Sequence, residues 1–179
     1  MSIVIIIIGI IVGLVVLLLI IAAFSRKDYA IERQIVINKP QQEVFDFIKY
    51  LKNQDHYNKW WTMDPDAKKD YKGIDGTVGF IAYWDSQNKQ AGQGEQEIKK
   101  ITDSQRLDTE IRFIRPFAGI ANIFMTTDAI TTTQTKVTWG MSGAYKYPMN
   151  IMLVIMKMDK LLGGDLEISL SRLKDYLEK

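Results

Sequence analysis

An uninterrupted apolar run opens this chain and limits what the chain can fold into. Residues 3–24 contain no charged side chain and no strongly polar one. Crossing the hydrocarbon of a bilayer takes about 20 apolar residues in a helix. We therefore predict one transmembrane helix over residues 2–24, beginning at Ser2. Residues 1–25 are assigned to a membrane anchor, and residues 26–179 to a single domain with a sizeable core.

A cleaved secretory signal is the alternative to an anchor. Such signals combine a basic start, an apolar stretch of about 7–15 residues and a small-x-small cleavage site. Here no Lys or Arg precedes the run, the run is longer, and the stretch from Ala22 to Ser25 is a poor cleavage site. The sequence favours an uncleaved anchor.

The charges that flank the run predict its orientation. Arg26, Lys27 and Arg33 follow it, and Lys and Arg near a span are retained on the cytoplasmic side. We expect the N-terminus outside and the domain in the cytoplasm, as in a single-pass protein of a bacterial inner membrane. Gly9 and Gly13 form a GxxxG element, which predicts a weak homodimer; the alternative is that glycine is simply frequent in membrane helices.

Composition bounds the chemistry of the domain. Cysteine is absent, which removes disulfides and thiolate sites, and 23 basic against 21 acidic residues give no basic block for nucleic acid. His56 is the only histidine, with no metal-binding spacing and no GxSxG element. Gly92 and Gly94 lack the helix and lysine of a phosphate loop. We predict no metal, cofactor or nucleic-acid site.

Hydrophobic periodicity indicates the order of elements. Residues 29–37 alternate as a strand, Asn38 and Pro40 suit the start of a helix with an apolar stripe to Leu51, and a second short helix covers residues 54–61. Short alternating segments with turn residues between them then predict an antiparallel meander. Its six strands are residues 68–71, 78–84, 92–102, 107–114, 120–127 and 136–145.

The last segment returns to helical spacing. Apolar residues three and four apart from Ile151 to Leu177 predict one long amphipathic helix over residues 148–179. Gly163 and Gly164 interrupt it, either because the sheet approaches closely or because the helix bends. The sum is an α+β, helix-grip architecture: a curved antiparallel sheet around a long C-terminal helix.

This order of elements resembles the START/Bet v 1-like (SRPBCC) superfamily, in particular its polyketide cyclase/dehydrase-like branch. The segments that carry the resemblance are residues 37–45, 60–61, 76–79, 83–84, 92–94, 138–143 and 173–177. The match covers residues 30–179, and the membrane helix is an addition to it. The resemblance implies an apolar cavity under the long helix.

Aromatic and methionine residues are the candidates for the lining of that cavity, because concave small-molecule sites are mainly apolar and methionine adapts to irregular shapes. Alternation on the fourth strand favours Gln96 as a lining residue over Glu95, and Arg115 at the end of an apolar strand face is a candidate for an anionic head group. The alternative for each aromatic or methionine residue is ordinary core packing. The candidates are Trp60, Trp61, Tyr83, Trp84, Gln96, Phe113, Arg115, Trp139, Met141, Met152 and Met156.

Three functions remain open from the sequence. The first is a membrane-anchored binding module for an apolar or amphipathic small molecule of the lipid or isoprenoid class. The second is an enzyme of the cyclase, dehydrase or hydrolase type, for which His56, Tyr83 and Glu95 are the nameable acids or bases, although no catalytic residue is assigned. The third is an interaction protein with a filled core. The interior of the domain discriminates among them.

Overall fold

The computed structural model describes residues 3–179. Its first element, α1, is the helix Ile3–Phe24, which is long and apolar enough to cross a membrane, with a mean hydropathy of 3.7 over its most apolar window. That window is not buried against the rest of the chain. Ser2, the first residue of the predicted span, lies outside the described residues.

The seven strands form one antiparallel sheet with the order β1-β7-β6-β5-β4-β3-β2. Strands β2 to β7 follow one another as the predicted meander, and β1 joins it by pairing with β7, with Ile31 opposite Met141. The strands are β1 Asp28–Ile37, β2 Lys68–Lys72, β3 Ile81–Asp85, β4 Gln93–Thr102, β5 Arg106–Arg115, β6 Gly119–Thr131 and β7 Gln134–Ala144.

Short helices connect β1 to β2. Helix α2 spans Gln41–Ile48, a 3-10 helix spans Leu51–His56 and α3 spans Lys59–Thr62. Pro40 stands at the start of α2 as predicted, but Asn38 lies outside the helix, where its side-chain oxygen accepts a hydrogen bond from Gln134. The single second helix predicted over residues 54–61 is therefore two pieces, separated at Tyr57 and Asn58.

The core lies between the sheet and helices α2 and α5, where α5 is Met158–Leu177. Leu166, Leu170 and Leu173 are buried at spacings of four and three, so one face of α5 packs on the sheet. From α2, Val44 and Phe45 are also fully buried. The predicted α+β architecture, a curved sheet around a C-terminal helix, is confirmed.

The predicted continuous C-terminal helix is wrong in one respect. A short helix, α4 (Ile151–Ile155), precedes α5, and the chain leaves helical geometry at Met156 and Lys157 rather than at the glycine pair. Gly163 lies inside α5, where a Cβ would stand 2.2 Å from the Arg33 guanidinium. The side chain that approaches Gly163 is thus the flexible Arg33 of β1, which could shift to admit a Cβ.

Candidate functional site

A cavity of about 170 Å³ lies between the inner face of the sheet and the first turns of α5. Its walls come from all seven strands, from α3, from α5 and from the β3–β4 connection. Seven of the eleven residues predicted to line it do so: Trp60, Trp61, Trp84, Gln96, Phe113, Trp139 and Met141. Five of these seven lie on the inner face of the sheet, and Trp60 and Trp61 belong to α3.

Trp84 forms one wall because its strand partner has no side chain. Gly94 lies directly opposite Trp84, and a Cβ there would stand 2.8 Å from the indole ring. The indole Nε1 donates to the carbonyl oxygen of Ala91 at 3.0 Å. Phe113 meets the same ring edge-on, with ring centroids 6.3 Å apart. Gly94 therefore leaves room for the Trp84 ring and is not part of a phosphate-binding loop.

Trp139 forms part of the opposite wall. It is 3% exposed and lies edge-on to the fully buried Tyr57, at a centroid distance of 5.8 Å. Its Nε1 is buried without a hydrogen-bond partner among residues 3–179. Buried indole N–H groups ordinarily have a partner, because an unpaired one loses its hydration at a cost of about 1–3 kcal/mol.

A chain of buried amides borders the cavity on its polar side. Asn58 Nδ2 donates to Gln54 Oε1 at 2.6 Å, Gln54 Nε2 donates to Gln96 Oε1 at 3.0 Å, and Gln96 Nε2 donates to Thr109 Oγ1 at 2.8 Å. All four side chains are buried. A chain of satisfied buried amides fixes the position of α3 relative to the sheet.

Two tyrosines line the cavity where β1 and β7 meet, and neither is among the eleven candidates predicted from the sequence. Tyr29 and Tyr145 stack with ring centroids 6.1 Å apart. Burial raises the pKa of the Tyr29 phenol to about 12, and the neighbouring Tyr145 adds to this rise. Tyr29 is therefore a neutral hydroxyl group over the physiological pH range.

Because the pKa of Tyr29 is raised on folding, the stability of the domain should fall at alkaline pH. Unfolded tyrosine ionises near pH 10, whereas folded Tyr29 stays neutral to about pH 12. The contribution of the neutral Tyr29 phenol to the free energy of unfolding is therefore complete below pH 10, and it is lost as the pH rises from 10 to 12. We expect denaturant unfolding of the detergent-solubilised protein to show this fall, and Tyr29→Phe to reduce it. Equal stability at pH 9.5 and 11.5 would contradict the assignment.

Two predicted site residues from the strands lie on the outer face of the sheet. Tyr83 is one residue before Trp84, so alternation turns it outward, where it accepts a hydrogen bond from Gln93. Arg115 was expected on the inner face with Phe113, but β5 carries a bulge that leaves Ile114 unpaired. The bulge shifts the alternation, and Arg115 instead contacts Asp85 and Gln93 outside.

Met152 and Met156 also lie outside the cavity. They belong to α4 and to the break that follows it, and α4 packs against α1 rather than over the sheet. Met158 and Leu162 take their place as the lining residues from the C-terminal helices. Their spacing of four on an apolar stripe is a sequence signal that would have found them.

The residues named for acid–base chemistry lie away from the cavity. His56 is exposed and stacks on Tyr176 at a centroid distance of 4.6 Å. Glu95 is on the outer face, where Arg112 Nε donates to its Oε1 at 2.6 Å. The titratable residues that do line the cavity are Tyr29, Lys69 and Tyr145. Across residues 3–179, no three His, Asp or Glu side chains are grouped to hold a metal ion.

Sequence comparison gives no relative: no family model matches the chain, and no curated protein matches it.

The fold, in contrast, has many solved neighbours. Truncated norcoclaurine synthase from Thalictrum flavum superposes with a TM-score of 0.63 at 9% identity, covering 86% of this chain and 95% of that one. A protein from Thermobifida fusca gives 0.60 at 12% identity, with 81% and 90% covered. The di-domain ARO/CYC BexL of the BE-7585A biosynthetic pathway gives 0.62 at 11% identity, with 89% and 53% covered.

Another neighbour is norcoclaurine synthase from the same plant in complex with dopamine and hydroxybenzaldehyde, with a TM-score of 0.61 at 10% identity, covering 88% of this chain and 90% of that one. At such identities the likeness establishes the fold alone. The chain therefore has the Bet v 1-like, polyketide cyclase-type fold that its sequence resembles.

Proposed function

We propose that this protein is a membrane-anchored binding module that holds an apolar or amphipathic small molecule between its sheet and α5. The observation that carries the proposal is the cavity, whose walls are mainly aromatic and aliphatic. Sites for small molecules are concave and apolar with a few placed polar groups, and this cavity has that composition. The fold neighbours include a synthase solved with two small aromatic molecules, which is consistent with such a role.

The size of the cavity limits what it holds. An apolar cavity of about 150 Å³ binds benzene, whereas sites that enclose a drug-sized molecule measure about 300–1,000 Å³. At about 170 Å³ the cavity accommodates one ring or one short branched hydrocarbon segment. We propose a ligand of the lipid or isoprenoid class that inserts such a segment and leaves the rest of the molecule outside.

An oxygen atom on the ligand could accept a hydrogen bond from the wall of the cavity. Trp139 Nε1 is a buried donor that lacks a partner, and a neutral carbonyl, ether or hydroxyl oxygen within reach would accept from it. The enzymatic alternative has less support, because His56, Tyr83 and Glu95 do not line the cavity. Tyr29, which does line the cavity, has a raised pKa and stays a neutral hydroxyl group at neutral pH.

The binding proposal is tested by identifying the small molecule that co-purifies with the protein. We expect native mass spectrometry of full-length protein, extracted gently from membranes, to show a bound mass that organic extraction releases and that lipid analysis identifies. The protein should then take up lipid, isoprenoid or aromatic probes after the bound molecule is removed. A protein that carries nothing and takes up none of these probes would refute the binding role and favour an interaction protein.

We further propose that the domain faces the cytoplasm, because Arg26 and Lys27 directly follow α1. A reporter fused after Lys179 should be active only if it is of the kind that works in the cytoplasm. Clear activity of a reporter that requires the periplasm would reverse the orientation. The dimer contact through Gly9 and Gly13 stays a prediction.

A further inference from the structure

Helix α4 is a short apolar helix with no buried residue. All five residues from Ile151 to Ile155 are aliphatic or methionine, and none of them is buried. Val154 is 54% exposed and Ile155 is 62% exposed, and Met156 directly after them is exposed as well. A water-soluble surface rarely exposes a contiguous apolar patch of this kind, so such a patch indicates a partner.

Further exposed apolar residues lie just before α4 and at the end of the sheet. Tyr147 and Met149, just before α4, line one open groove together with Phe117 from the β5–β6 turn. Phe117 is 59% exposed. We call the six residues Phe117, Tyr147, Met149, Val154, Ile155 and Met156 the α4 face.

The α4 face lies where the domain meets α1. The Asn150 side chain, at the start of α4, donates from Nδ2 to the carbonyl oxygen of Ala22 at 2.6 Å, inside the last turn of α1. A second bond lies nearby: the backbone N–H of Tyr145, five residues before Asn150, donates to the carbonyl oxygen of Lys27 at 2.8 Å. These bonds hold α4 at the level at which α1 ends.

Basic side chains surround this position. Segments 25–28 and 145–161 carry Arg26, Lys27, Lys146, Lys157 and Lys160, against two acidic residues, Asp28 and Asp159. Asp159 is already paired with Arg33 at 3.0 Å. Anionic lipid surfaces attract Lys and Arg, and exposed tyrosines such as Tyr147 favour the head-group level.

We propose that the α4 face lies in the interface of the bilayer that α1 crosses, as a second membrane contact that seats the domain on anionic lipid. The inference rests on the proposed anchor, since α1 sets the level of the membrane. The apolar area, the surrounding positive charge and the direct continuity with α1 all fit a lipid surface. Met158 lines the cavity and follows Met156 by two residues, so this seating places the cavity wall next to the bilayer.

The absence of cysteine from the chain makes the test direct. Full-length protein carrying Ile155→Cys or Phe117→Cys is labelled with a small fluorophore and reconstituted into vesicles of phosphatidylcholine and phosphatidylglycerol. The matched control is Ile130→Cys, which is 52% exposed and lies at the opposite end of β6 from the α4 face. Ile10→Cys within α1 reports on the anchor itself. Unchanged melting temperatures establish that each variant is folded.

Quenching by nitroxide-labelled lipid is the measurement. We expect it to be several-fold stronger for the labels at positions 155 and 117 than for the label at 130, and strong for the label at 10. Equal, weak quenching at 155, 117 and 130 with strong quenching at 10 would overturn the membrane contact and leave the anchor intact. Weak quenching at 10 would overturn the anchor and the contact together. Efficient disulfide formation between copies of unlabelled Ile155→Cys, without lipid quenching, would assign the face to a second copy instead.

Discussion

Carbonate extraction should leave the full-length protein in the membrane fraction, and one aspartate in the middle of α1 should not release it. Helix α1 contains 18 Ile, Val, Leu and Phe residues. At about −0.3 to −0.6 kcal/mol each, they favour insertion by roughly 5 to 11 kcal/mol, whereas a central Asp opposes it by about 2.5–3.5 kcal/mol. Ile10→Asp therefore leaves a net driving force for the membrane.

Four aspartates should reverse this outcome. The combined substitution of Ile7, Ile10, Leu14 and Leu17 by Asp opposes insertion by roughly 10 to 14 kcal/mol, which exceeds the gain from the remaining residues. Flotation on a density gradient distinguishes membrane-bound protein from aggregate, which pelleting does not. Release of the unsubstituted protein by carbonate would contradict the anchor, and so would the appearance of a chain shortened by cleavage after Ala23.

A tryptophan at Leu162 should strongly weaken ligand binding. Leu162 lines the cavity from the second turn of α5, and the larger indole would fill space that a ring or branched segment of the ligand needs. Overpacking costs about 1–3 kcal/mol of stability. We expect affinity for the co-purified molecule to fall by at least about tenfold, or about 1.4 kcal/mol.

The matched control is Leu161→Trp, one residue earlier on the same helix and exposed to solvent. It should alter neither uptake nor melting temperature beyond experimental error. Uptake is measured with the purified full-length protein in detergent, and stability by thermal melting of the same samples. If Leu162→Trp lowers stability while the affinity is unchanged, the cavity is not the binding site. Met152→Trp and Met156→Trp, outside the cavity, should also leave uptake unchanged.

Local periodicity was sufficient to predict the outline of the fold. Alternating residues define the two faces of a strand, and a spacing of three and four defines one face of a helix, so the sheet and the packed face of α5 follow from nearest neighbours along the chain. Gln96 was placed on the inner face by this alternation, whereas Trp84 and Trp139 were named for their aromatic side chains. The apolar run of α1 is likewise a property of consecutive residues.

Residues far apart in sequence decided the rest. The bulge that turns Arg115 outward depends on how β5 pairs with β4, and no local pattern marks the unpaired Ile114. The break after α4 accompanies the hydrogen bonds from Asn150 to the end of α1, more than 120 residues earlier in the chain. Tyr29 and Tyr145 meet only because β1 pairs with β7.

The sequence by itself therefore determined that α1 is long and apolar enough to span a membrane, the order of the strands and the inward direction of Gln96. Tertiary structure alone decided the volume of the cavity, the unpaired state of Trp139 Nε1 and the replacement of Met152 and Met156 by Met158 and Leu162 as its lining. The physical reason is that a periodic pattern specifies which way a side chain points. The space left between elements depends on how all of them pack together.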